Sequence, residues 1–85
     1  MYNYEELKPK LFSEEGFKLI ESVRRNIAAV TKERDFFLME EATHGIVGSN
    51  WEAMSAVDFL KEQRNFYEIS GQDCEGQHRT FKILK

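Results

Sequence analysis

Between residues 50 and 64 apolar side chains return at Ala53, Val57 and Leu60, with Met54 beside them. Positions i, i+4 and i+7 share one face of an α-helix, so the segment predicts one amphipathic helix with a buried stripe. Its flanks narrow the possible folds further. On the N-terminal side Gly45 and Gly48 bracket Ile46 and Val47, and glycines supply the positive-φ conformations that end helices. Ser49 or Asn50 would cap the new helix. On the C-terminal side two runs rich in aromatic and β-branched residues, 66–70 and 79–84, surround a polar loop at 71–77 that glycines bound. Such a helix packs between a short helical piece and a β-hairpin.

The preceding chain reads as a helix and an arm. Ser13 is a suitable N-cap, and Glu14 and Glu15 follow where the helix dipole favours negative charge. Phe17, Ile20, Val23, Ile27 and Val30 then recur every three or four residues, with Leu19 widening the stripe, which predicts a helix ending near Lys32 or Glu33. Lys18, Glu21, Arg24 and Arg25 occupy its other face. Tyr4, Leu7 and Leu11 have helical spacing too, but Pro9 interrupts them, so residues 1–12 read as a short helical turn or extended arm. Phe36, Phe37 and Leu38 suit a small strand, and residues 39–45 can make two helical turns with Ala42 and Ile46 inward. In the hairpin, alternation predicts a buried face of Tyr67, Ile69, Phe81 and Ile83. Asn65 would be the left-handed residue closing the 50–64 helix.

With 85 residues the chain suits a single small domain, and no apolar run approaches the roughly 20 residues that span a bilayer. A lone Cys74 cannot form an internal disulfide, and the first residues lack a signal-peptide layout, so a cytoplasmic location is expected. The formal net charge of −3 opposes a general affinity for polyanions. His44, His78, Asp73 and Cys74 lack tight metal-ligand spacing, and no nucleophile–base pairing or phosphate-cradling glycine loop stands out. No metal, cofactor or enzymatic activity is expected.

The line Met39-Glu-Glu-Ala42, Gly45, Ala53…Val57…Leu60-Lys-Glu-Gln63, Phe66-Tyr-Glu-Ile69 and Gly76-Gln-His-Arg-Thr-Phe81 resembles winged helix-turn-helix domains of small bacterial and archaeal regulators. The resemblance covers residues 36–84. It implies an α+β fold, mainly α, of three or four helices with a small antiparallel sheet. Residues 1–12 are then an arm, 13–33 the first long helix, 36–49 a strand, short helix and turn, 50–64 the recognition helix and 66–84 the hairpin wing. It also implies double-stranded DNA as ligand, read from the major groove, and a homodimer formed through residues 1–32.

Carried onto this chain, that role falls to Asn50 and Ser55 on the helix and to His78, Arg79 and Lys82 on the wing. The hairpin cations have a second reading as an ordinary solvated strand face. The helix presents Glu52, Ser55 and Asp58 outward and no Arg or Lys before Lys61, a poor match to phosphates. A second expectation follows: a protein–protein contact through Trp51, Glu52, Asp58 and Phe59, an acidic and partly aromatic surface. Trp51 has a second reading, as a core residue at the helix start.

Overall fold

In the computed structural model, which describes residues 2–46, 50–70 and 78–84 (Asn50 and Ser70 as backbone alone), Ser13 opens the longest helix. Its Oγ accepts from the Gly16 N–H at 3.1 Å, capping α2, Glu14–Val30, as expected. Before it the chain makes α1, Tyr4–Leu7, and a 3₁₀ turn, Lys8–Leu11, with Pro9 in its first turn, where a missing N–H costs nothing. After α2 come β1 (Phe36–Leu38), α3 (Met39–Ala42), α4 (Asn50–Glu62), β2 (Phe66–Ser70) and β3 (Thr80–Ile83). The molecule is α+β and mainly helical. Its sheet is antiparallel with strand order β1-β3-β2, so β1 joins the hairpin on the β3 side.

The core lies between α2, α4 and one face of the sheet. Val23, Phe37, Met39, Val57, Leu60 and Phe81 are its large, fully enclosed members. Phe37 stacks on Phe81 with centroids 5.2 Å apart, and Phe66 meets both edge-on at 4.9 and 5.4 Å. Edge-to-face and offset arrangements suit the ring quadrupole, adding to the burial of the rings themselves. Asn26 ties α2 to α3. Its Nδ2 donates to the carbonyl oxygens of Ala42 at 2.8 Å and His44 at 2.9 Å, satisfying acceptors that the four-residue α3 leaves open. Gly45, at φ +74°, turns the chain away there.

Four expectations are corrected by packing. The buried stripe of α2 begins at Gly16 rather than Phe17, which is 56% exposed. The backbone of Leu11 lies across this turn, and only a residue without a side chain leaves room for it. In the hairpin β3 faces as expected and β2 is inverted: Phe66 and Glu68 share the inner face with Phe81 and Ile83, while Tyr67 and Ile69 point outward. Phe66 completes the aromatic cluster, and inward Glu68 is accepted because cations meet it there. α4 ends at Glu62, and Arg64, not Asn65, takes the positive φ, of 62°. Asn65 instead donates from Nδ2 to the Leu60 carbonyl at 3.1 Å. Ser55 and Asp58, expected on a solvent face, are buried, for reasons set out below. The glycine-bounded loop at 71–77 and the cap at Ser49 lie outside the described residues.

Candidate interaction face on α4

Helical spacing places Glu52, Ser55, Phe59 and Glu62 on the side of α4 turned away from the aromatic core. The N-terminal arm lies over this side. Tyr2 donates its phenolic hydrogen to Asp58 Oδ2, Lys8 Nζ meets Glu62 Oε2 at 2.9 Å, and the Phe12 and Phe59 rings meet edge-on at 5.8 Å. Leu7, Lys10, Leu11 and Gly16 line a crevice with Glu52 and Ser55 farther up the helix. The hydroxyl of buried Ser55 turns back to donate to the Glu52 carbonyl at 2.6 Å.

Asp58 is the anchor of this arrangement. Arg79 reaches it from β3 with Nη2 to Oδ1 at 2.8 Å and Nη1 to Oδ2 at 3.2 Å. The same guanidinium donates to Glu68 from Nε and Nη2, both at 2.9 Å, and lies 5.3 Å from the centre of the Phe81 ring. Lys61 approaches Glu68 at 3.2 Å and Asp58 at 3.5 Å. Two carboxylates and two cations thus neutralise one another where water is largely excluded. Burial alone would raise the Asp58 pKa; hydrogen bonds from Arg79 and Tyr2 outweigh it and hold the carboxyl below its usual value. Glu68 is lowered chiefly by its bonds to Arg79. Burial, then the bond to Asp58, pushes the Tyr2 phenol well above its usual value.

Among the described residues, those expected to touch DNA do not converge. Arg79 is occupied internally. Lys82 lies on the outer sheet face between Phe36 and Tyr67, its cross-strand neighbours, with Asp35 at 3.6 Å. His78 is exposed. Arg25 lines a groove between α2 and the turn at His44, together with Lys18 and Ser22. The side chain of Asn50 lies outside the described residues. Among the residues expected at a protein contact, Trp51 is 44% exposed and Glu52 is exposed as well. Phe59 is half-buried beneath Phe12, and Asp58 is 6% exposed. Tyr2, Lys8, Phe12, Glu62 and Glu68 were not singled out by sequence. The one available signal was the aromatic character of the arm, which implies that it packs on something. Among the described residues no helix is long and apolar enough to cross a membrane. Comparison with protein-family models, characterised proteins and solved structures finds no match.

Proposed function

We propose that this chain is a protein-interaction module built on a winged-helix plan, whose docking groove is the outer face of α4. The succession of strand, short helix, turn, longer helix and two antiparallel strands supports the plan. The observation that carries the function is the occupancy of α4. The side that would enter a major groove already holds an eleven-residue peptide segment, residues 2–12, through Asp58, Phe59 and Glu62. A helix side that binds a peptide through an aromatic contact, a charge pair and a buried carboxylate has the chemistry of a peptide-recognition surface. Among its described residues this side lacks that of a DNA reader, whose exposed donors and cations would meet base edges and phosphates.

Two measurements test this. Mixed-sequence duplex DNA is titrated onto the protein at two salt concentrations, with no binding expected even at the lower. The sequence-independent electrostatic contribution survives there in any DNA-binding protein, so salt-sensitive duplex binding would falsify the reading. In the second, a synthetic peptide with the sequence of residues 2–12 is added to a full-length variant whose own arm is weakened by Y2F, K8E and F12A. Amide shifts confined to the region around Asp58, Phe59 and Glu62 are expected; no shift at saturating peptide counts against a docking groove.

A further inference from the structure

We infer that the groove between α2 and the turn after α3 binds a small organic phosphate monoester, held by Lys18, Ser22 and Arg25. The site is separate from the outer face of α4 and does not rest on the reading of that face.

Helical geometry brings the three residues together. Positions 18, 22 and 25 stand at i, i+4 and i+7 on α2, so their side chains share one line along the helix. Seven residues advance the helix by about 10 Å, with Ser22 near the midpoint. The two long side chains can therefore converge on one group lying over the Ser22 hydroxyl. His44 and Gly45 form the opposite wall, and the groove has a volume of about 540 Å³. Leu19 and Ile46 give it an apolar part on which an organic moiety can pack.

Charge selects an anion. Lys8, Arg34, Lys61, Arg79 and Lys82 each meet a carboxylate. Lys18 and Arg25 meet none among the described residues, and the half-buried Ser22 hydroxyl has no hydrogen-bond partner there. Of the residues lining the groove only Glu15 is acidic, and it lies at the N-terminal end, a turn before Lys18. The C-terminal end of α3 would present open carbonyls and repel an anion. Asn26 Nδ2 occupies those of Ala42 and His44, at 2.8 and 2.9 Å.

A phosphate monoester matches this set of donors. At neutral pH it carries close to two negative charges and three terminal oxygens. A guanidinium grips two of those oxygens in its planar fork, and an ammonium acts as a point charge. Two cations neutralise one such group. They offer little to the many phosphates of a duplex, whose binding depends on neutralising several at once.

In the test, phenyl phosphate is titrated onto the full chain at low salt and followed by ¹H–¹⁵N correlation spectra, beside inorganic phosphate and phenol. Saturable shifts concentrated at residues 18–26 and 44–46 are expected with phenyl phosphate. Inorganic phosphate should bind the same residues more weakly, and phenol should not shift them. K18E and R25E should each weaken binding about tenfold, and S22A about threefold. R24E makes the same charge change on the neighbouring residue, which does not line the groove, and should weaken binding by about twofold at most. Unchanged spectra outside α2 and the turn show that each variant keeps its fold. A loss with R24E as large as with R25E would reveal general charge attraction and overturn the site. So would phenyl phosphate that leaves residues 18–26 unshifted.

Discussion

Arg79 and Asp58, twenty-one residues apart, are joined by two hydrogen bonds of 2.8 and 3.2 Å, with neither side chain more than 13% exposed. The pair connects β3 to α4 and removes one charge of the helix and one of the hairpin from solvent. A buried ion pair is weak evidence of net stability, because desolvation offsets much of the attraction. Breaking one is costly.

Replacing Arg79 by Met therefore leaves Asp58 and Glu68 enclosed without their main donor. A loss of about 3 kcal/mol in urea-unfolding free energy at neutral pH is expected. R79K should recover only part of it, since a single ammonium cannot bridge both carboxylates with the geometry of a guanidinium fork. Equal stability of the wild type and R79M would remove this account of the network.

Stability should also fall with acid. Asp58 and Glu68 titrate below their unfolded values, so the folded protein binds fewer protons than the unfolded chain between the two. Their contribution is complete above the unfolded carboxylate range, near pH 4, and is lost as pH falls through the folded values. D58N should flatten that slope in a pH series of thermal melts.

Tyr2 has the opposite sign. Its pKa is higher in the folded protein, so its contribution is complete below about pH 10 and disappears as pH rises beyond the unfolded value. The arm should loosen in alkali before the core does. Faster amide exchange at residues 4–8 than in α2 as pH rises, after correction for intrinsic rates, would show it. Y2F should weaken this pH dependence, the remainder coming from Tyr4 and Lys8, whose pKa values are raised in the same direction.

Gly16 reverses an ordinary expectation. Glycine inside a helix is destabilising by about 1 kcal/mol relative to alanine. Here an added Cβ would lie 2.5 Å from the carbonyl carbon of Leu11 and 2.6 Å from its Cα. Both are backbone atoms at the end of the 3₁₀ turn, which cannot yield as a flexible side chain would. G16A should lower stability by about 1–3 kcal/mol, as overpacking does, with the change in amide exchange concentrated in residues 7–13.

Asn26→Ala removes the donor shared by the Ala42 and His44 carbonyls. A loss of about 1–2 kcal/mol is expected from denaturant unfolding. Local exchange should increase at 43–46, because α3 is too short to hold its own C-terminal end.

Periodicity and capping chemistry made α2, β1, α3 and α4 legible in the sequence, because those elements are set by neighbours within a turn or two. Ser13 capped its helix, Gly45 turned the chain, and Ala53, Val57 and Leu60 faced the core. The outward side of α4 was not legible. Whether Asp58 meets water depends on Tyr2, fifty-six residues earlier, and on Arg79 in a strand that arrives later, and no local spacing records either contact. Strand β2 inverted for the same reason: alternation is satisfied equally by two registers. Only the ring cluster of Phe37 and Phe81, and a cation placed to meet Glu68, selected the one with Phe66 inside. Local pattern determined which residues form helices and strands; long-range packing decided which of their faces remain available to anything else.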